Sequence, residues 1–476
     1  MEQMAKRILA IVLIAVIGTG IGVGAWFFLL APGAGEYQWS SADCPGAPAG
    51  LSADQIIKIG CAGDTGEIQG DANYEGAWFA AKTINQGGGV VINSTTYYIG
   101  VTREDTDESN PNLVTSRGIA AAERLVYKKN VDFALGGFRS EALLAYQEVF
   151  MDNKILFIDT GAATDIFCLN VKNYYDRYKY FWRFMPINTS ALGSEIVAFL
   201  LTYQAVLNGT YAGYYGGEEI DTIGILAEDL TWSEGMTTNM PVALPYYSGG
   251  KISVPPAAVI RYDVTLSAAD MNTHLQTMSN QGVDILIPVI SAQGGIMMMQ
   301  QYASLHPNYV IIGIDVQSQL DTFWTQSGGD CIYETLMQTA YAVNKSATTI
   351  TFWNAFKAEF GHEPLYIACG AYDAVMGIID AAVAQDSLDA LDLIAEMETW
   401  TRSNPHPGVS GGGAWWPDTH DLVEGYPFSY TLWTQWQANS TKVVVPAYGN
   451  EYPNDRITPL GTYQVPPWVH TAWSTP

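Results

Sequence analysis

From Ile56 onward the chain alternates between apolar runs of strand length and longer stretches whose apolar residues recur at helical spacing. "IIKIGCAG" (56–63) is a continuous apolar run, and "YEGAWFAAKTIN" (74–85) is amphipathic and stops at "QGGG". "YYIGVTRED" (97–105) predicts a strand and "LVTSRGIAAAERLVYKK" (113–129) a helix. "VDFALGG" (131–137), a helix from Glu141 and "ILFIDTG" (155–161) follow. A second series begins after "YFWRFMPINTS" (180–190) with a helix over 190–207, "DTIGILAED" (221–229), a helix from Ser233, "AVIRYDV" (258–264) and a helix over 268–281. "VDILIPVIS" (283–291), the methionine-rich "GGIMMMQQYASL" (294–305) and "YVIIGID" (309–315) complete it. Apolar strands separated by helices imply parallel sheets with both faces covered, so the predicted class is α/β with two doubly wound parallel sheets. The methionine stripe reads as core packing.

Sheets of this kind bind ligands beyond the carboxyl ends of their strands. Three corners of the first sheet follow strands and so share one rim: "GDTGEIQGDANYEG" (63–76), "GGFRSE" (136–141) and "DTGAATD" (159–165). In the second corner two glycines lead into Arg139, Ser140 and a helix. The free N–H groups and partial positive charge of a helix N-terminus favour an anion, and a hydroxyl with a guanidinium suits a carboxylate or phosphate. A plain strand-to-helix turn with Ser as N-cap uses the same residues, and both readings stay open.

The N-terminus adds a second theme. Ile8 to Ala31 is an apolar run with only Thr19 polar, long enough to span a bilayer. Lys6 and Arg7 precede it, which predicts a single uncleaved helix with its N-terminus inside and the lobes outside the cell membrane. Residues 32–55, rich in Pro, Gly, Ala and Ser, read as a flexible stalk. Five glycosylation sequons, at Asn93, Asn188, Asn208, Asn344 and Asn439, agree with an outside placement. The five cysteines are an odd number, so at least one thiol is free, and no pairing follows from their spacing.

Charge and motifs narrow the chemistry. Forty-eight acidic against 22 basic residues give a net charge of -26, which repels nucleic acid and anionic lipid surfaces but not small zwitterions. "GVSGG" (408–412) matches a hydrolase nucleophile pattern, yet no helix follows it, so it reads as a glycine-rich loop. No zinc, P-loop or Cys-x-x-Cys pattern occurs, and "PDTHD" (417–421) is too sparse for a metal site. The chain is expected to be no enzyme and to carry no cofactor.

The order of these motifs resembles the substrate-binding proteins of ABC importers for branched-chain amino acids, the type I periplasmic-binding fold. The resemblance spans about Ile56 to Gln437 and rests on the opening strand and helix, "EDTDESNP" (104–111), "ALGGFRSEALLA" (134–145), "ILFIDTGAATD", "YFWRFMP", "GILAEDLTWSEG" (224–235), "GAYDAV" (370–375) and "LWTQWQ" (432–437). It implies two lobes joined by three crossing strands with a small ligand, most simply an amino acid, clamped between them and handed to ABC permease subunits. Lobe one would comprise 56–185 and 343–418, lobe two 186–342 and 419–445, with a tail over 446–476. On lobe one the resemblance implies ligand contacts at Gln69, Ser140, Gly161, and Ala163 or Thr164; Arg139 departs from the amino-acid binders, where that position is not basic. On lobe two it implies Trp232, Ser291 where many relatives carry an aromatic, and Asp315 as the acceptor of an ammonium; a further contact falls at Tyr366, after the Pro of "EPLYIA" (363–368). By itself, Asp315 at the end of an apolar strand also fits an N-cap for the following turn. A surface receptor of the same fold and a structural surface protein are the rival readings.

The first prediction concerns placement. Protease applied to intact cells should remove the lobes and leave the anchor, followed by immunoblotting against the C-terminus. Protection of the lobes until the cells are lysed would reverse the orientation.

Overall fold

The strand Ile56–Gly63 (β1) is apolar on both faces, buried except at Lys58, and central in a six-stranded sheet. The computed structural model describes residues 37–211, 219–291, 293–447, 452–457 and 460–474; the expected anchor over 1–31 lies outside them. Flanking β1 on one side are Thr95–Asp105 (β3) and the edge strand Val90–Ile92 (β2), and on the other Phe133–Gly136 (β4), Leu156–Asp159 (β5) and Phe181–Arg183 (β6). The second sheet has seven strands. Ile223–Glu228 (β7), Val259–Tyr262 (β8), Ile285–Ile290 (β9), Val310–Asp315 (β10) and Thr335–Gln338 (β11) form its parallel part, in the order β11-β10-β9-β7-β8. Leu432–Gln437 (β14) and Thr441–Val444 (β15) extend it beyond β11, while Trp415–Trp416 (β12) and Asp421–Leu422 (β13) form a separate ribbon.

Both sheets are therefore mixed rather than wholly parallel. β2 runs antiparallel to β3, and β14 antiparallel to both β11 and β15. The reason lies in the connections: parallel neighbours need a long crossover, whereas β2 and β3 are joined by Asn93 and Ser94 alone, both at positive φ. The predicted helices are present, including Gly295–Leu305, whose Met298 and Met299 are fully buried in the second lobe.

The chain passes between the two sheets three times: after β6, between β11 and the helix Thr349–Phe360, and between β13 and β14. The ribbon stays with the first lobe, since the Arg183 N–H donates to His420 O at 3.1 Å, so this lobe runs on to Leu422 rather than stopping at 418. The stalk expectation fails from Trp39 onward. Trp39 and Cys44 are buried, the Trp39 indole donates to Lys129 O at 2.6 Å, and Asn85 Nδ2 donates to Pro45 O at 2.9 Å. The indole supplies packing area that the composition of the segment conceals. The C-terminal tail also docks: in the helix Pro467–Ser474, Val469 and Trp473 are fully buried, and Trp468 Nε1 donates to Pro307 O at 3.0 Å. All five cysteines are free and buried. Of the sequon asparagines, Asn188 spends its amide on Asp421 at 2.7 Å and Asn208 on Ile220 O at 3.2 Å.

One buried ion network ties the crossings to the first lobe. Arg183, fully buried, pairs with Asp159 at 3.1 Å and Asp421 at 3.1 Å and donates to Thr164 O at 2.6 Å. Removing the cation leaves two buried carboxylates without their partner, which costs about 3–5 kcal/mol. Arg183→Met should therefore lower the unfolding free energy of the purified protein by that much, read from denaturant titration by tryptophan fluorescence. A loss below about 1 kcal/mol, the scale of an exposed pair, would show the network to be dispensable.

Candidate functional site

The carboxyl ends of β1, β4 and β5 on the first lobe face those of β7, β9 and β10 on the second, and between them lies a cavity with about 710 Å³ of non-atom space, its mouth included. Glu108, Ser109, Phe138, Arg139, Gly161 and Tyr366 form its first-lobe wall. Leu230, Trp232, Ile314, Val316 and Met337 make the second-lobe wall largely apolar, with Ser291, Gln293 and Gln319 as its polar members. Ile187 and Thr339, on two crossing segments, close the back.

The glycine corner has a definite geometry. Gly137 sits at φ +97°, where an L side chain is strained, and a Cβ there would lie 2.4 Å from Asp159 Oδ1. A Cβ at Gly161 would lie 2.2 Å from Gly137 O, so the two turns approach as only glycines allow. Asp159 Oδ1 accepts the N–H groups of Gly161 and Ala162 at 3.0 and 2.8 Å and so shapes the second turn. Burial pushes the Asp159 carboxyl up to about 6, with Arg183 opposing the rise.

The helix Ser140–Asp152 starts at this corner, but a protein side chain has already claimed its entry. The N–H groups of Phe138 and Arg139 both donate to Glu108 Oε2, at 3.3 and 3.1 Å, and Glu108 Oε1 accepts from Thr106 Oγ1 at 3.0 Å. Glu108 is almost wholly buried, and that burial pushes its carboxyl up to about 8. Arg139 turns its guanidinium to Asn110 O at 2.9 Å and to Glu141 at 3.4 Å.

Six of the ten residues singled out in the sequence line the cavity: Arg139, Gly161, Ala163, Trp232, Ser291 and Tyr366. Four do not. Ser140 is fully buried, with its Oγ accepting from Thr164 N at 3.4 Å, and neither residue lines the cavity. Gln69 spans the cleft and donates to Ser291 O at 3.3 Å. Asp315 is the clearest correction. It is fully buried, its Oδ1 accepts from Gln317 N at 3.0 Å and Ser318 N at 3.4 Å, and Gly295 packs so closely that a Cβ there would meet Asp315 Oδ2 at 2.1 Å. Burial pushes Asp315 up to about 7 and the neighbouring Glu334 well above the usual carboxylate range. The turn-capping alternative is the one realised, because the side chain folds back on the residues that follow it.

Acidic groups are abundant in the second lobe but are consumed internally. Glu228 at the end of β7 accepts from Ser291 N and Oγ at 2.9 and 2.6 Å and from Gln293 N at 2.9 Å. Ser291 thus contributes the edge of a satisfied network rather than an open hydroxyl. Trp232 Nε1 points to the same carboxylate at 3.4 Å, leaving the indole face to the cavity wall. The residue that sequence reasoning missed is Glu108. Its signal was the acidic stretch "EDTDESNP", in which four carboxylates offered no way to tell which one turns inward.

The lobes are closed in this structure. Besides Gln69 to Ser291, Gln293 Nε2 donates to Ser109 O at 3.2 Å, and the N–H of Thr231 donates to Glu141 Oε1 at 2.6 Å. The last bond is unusual in kind. The helix Thr231–Tyr247 begins after Leu230, which has no capping side chain, and a carboxylate from the opposite lobe caps it instead.

Comparison with known proteins is consistent with this geometry. A search of curated protein sequences finds no match. Among solved structures, a branched-chain amino acid ABC transporter protein from Silicibacter pomeroyi is 18% identical, covers 87% of this chain and 99% of its own, and has a TM-score of 0.66. A leucine-binding protein from Thermotoga maritima is 16% identical over 82% of this chain and 97% of its own, TM-score 0.61. A solute-binding protein from Rhodopseudomonas palustris, in complex with 3,4-dihydroxybenzoic acid, is 18% identical over 80% and 93%, TM-score 0.62. These establish the type I periplasmic-binding fold. The periplasmic binding protein family model matches residues 57–430, from β1 to the last crossing, and the chain belongs to that non-enzymatic family.

Proposed function

We propose that the protein captures an amino acid with an apolar side chain between its lobes, outside the cell membrane, and delivers it to the permease subunits of an ABC importer. One observation carries the reading: the first-lobe wall holds a cation, Arg139, and a carboxylate, Glu108, side by side, opposite an uncharged second-lobe wall built around Trp232. A zwitterionic head with an apolar body matches both walls. Similar structures hold leucine and 3,4-dihydroxybenzoic acid, both carboxylic acids. The apolar run Ile8 to Ala31 supports this reading, since an anchor there would hold the lobes beside the permease.

Arg139 is the group on the wall for the ligand's carboxylate, and a hydrogen bond to a charged group contributes about 1.5–3 kcal/mol. A thermal-shift panel of L-leucine, L-phenylalanine, L-leucinamide and 3,4-dihydroxybenzoate tests the reading. At least one free amino acid should stabilise the protein, by about 2.7 kcal/mol at a hundredfold excess over Kd. The amide should bind at least tenfold more weakly in calorimetry. Stabilisation by dihydroxybenzoate and by no amino acid would make the protein an aromatic-acid carrier instead.

Closure follows from ligand contacts with both lobes, since a ligand shifts the equilibrium only by its differential affinity. The cap from Glu141 is formed only when the lobes meet. Glu141→Ala should leave the melting temperature within a few degrees but move the ligand-free protein toward an open form, with a larger radius of gyration in solution scattering. The population shift should be about tenfold or more, from a charge-assisted bond of about 1.5–3 kcal/mol. Scattering identical to wild type would remove Glu141 as a latch.

A further inference from the structure

Glu108 presents a problem that the fold does not solve internally. It is 1% exposed, it lines the cavity, and among the described residues no Lys, Arg or His pairs with it. The nearest guanidinium, Arg139, is directed to Asn110 O and Glu141. Buried carboxylates are ordinarily paired with a cation, and those left unpaired in a cleft mark functional positions. Three donors reach Glu108, the N–H groups of Phe138 and Arg139 and the hydroxyl of Thr106. A carboxylate has roughly four acceptor positions, and the fourth is faced by the buried Tyr146 hydroxyl, a neutral group that supplies no charge to pair with it. Ser109 Oγ, buried on the same wall, has no hydrogen-bond partner.

We infer that Glu108 is the residue that receives the ligand's ammonium group, placing amine recognition on the first lobe, at the entry of the helix Ser140–Asp152. This rests on the amino-acid reading above. The second lobe offers no charged side chain to the cavity wall, because Asp315 folds back on its own turn and Glu228 is bonded to Ser291 and Gln293 of the loop after β9. A carboxylate held against the helix entry moreover excludes a second anion from that position, so the ligand's own carboxylate must lie toward Arg139. Ligand selection then depends on the separation of acid and amine, fixed by two residues that are neighbours in space on one rigid lobe.

The electrostatic surroundings of Glu108 come from every element packed on it. Asp64 at the end of β1 adds negative charge, Tyr146 and Tyr366 face it with phenols from two helices, and the entry loop contributes Arg139 and Glu141. The second lobe contributes Gln293, which bonds Ser109 O, and no titratable group on the wall. With burial holding the ligand-free carboxyl near 8, it is mostly protonated at pH 7. An arriving ammonium favours the ionised form, so binding releases a proton.

Calorimetry on the whole protein and on Glu108→Gln tests this, with L-leucine, 4-methylpentanoic acid, which lacks the amine, and 3-methylbutylamine, which lacks the carboxylate. In wild type, leucine should bind at least tenfold more tightly than 4-methylpentanoic acid, and Glu108→Gln should abolish that difference. Repeating the leucine titration in buffers of different ionisation enthalpy should show release approaching one proton per ligand at pH 7, absent in the variant. The bare amine separates the two claims. If leucine fails to bind wild type but 3-methylbutylamine binds it and not Glu108→Gln, the amino-acid reading fails and the assignment of Glu108 stands. Equal loss of leucine and 4-methylpentanoic acid in the variant, or leucine binding without proton release, would make Glu108 a structural cap of the entry loop.

Discussion

The buried guanidinium of Arg183 is the constraint on which the site depends. It lies where β6 leaves the first sheet, and its fixed fork of donors reaches Asp159, Asp421 and Thr164 O at once. Asp159 uses its other oxygen to hold the Gly161–Ala162 turn, and Asp421 accepts the amide of Asn188 at the start of the first crossing. A single cation therefore positions the cavity turn, the first crossing segment and the strand that leads into the third. Such a cluster is costly to desolvate, and its value lies in orientation more than in net stability. The turns on the first-lobe rim stay fixed while the second lobe approaches them.

Closure adds a second kind of constraint. A helix N-terminus facing a cleft carries N–H groups that water satisfies when the lobes are apart. When they meet, something in the opposite lobe must replace the water. At Thr231 that replacement is Glu141, whereas at the entry of the helix Ser140–Asp152 the place is filled within the same lobe by Glu108, from the loop after β3. Both helix ends read as anion sites, and both are filled by the protein's own carboxylates. In a chain of net charge -26 this is an economical use of acidic residues, since each is neutralised in part by a helix dipole.

The fold was legible wherever a signal was local and repeated. The apolar runs of β1, β4, β5, β7, β9 and β10 are strands, and the corners after β4 and β5 line one cleft, while the corner after β1 reaches across it only through Gln69. Errors arose where a long-range contact overrode composition. Trp39 anchors a segment whose Pro, Gly and Ser content reads as a stalk, and the antiparallel β14 and β15 are called into the second sheet by pairing with β11, which no periodicity reveals. Of the site, aromatic and glycine positions such as Trp232, Tyr366 and Gly161 were readable because their types have few other uses at a strand end.

The carboxylates were not, and the reason is physical. A carboxylate at a strand end can cap its own turn, pair with a buried cation or face a ligand, and the choice is made by rotamer and by neighbours distant in sequence. Asp315 turned to Gln317 and Ser318, Asp159 to Arg183, and Glu108 into the cavity, although all three lie at or just beyond the carboxyl ends of parallel strands. By itself the sequence determined the strand and helix order, the rim on which ligand contacts gather and the family to which the chain belongs. Only the tertiary structure decided which of the buried acids reaches the cavity wall, because that depends on how the two lobes, joined by three crossings, meet around one carboxyl group.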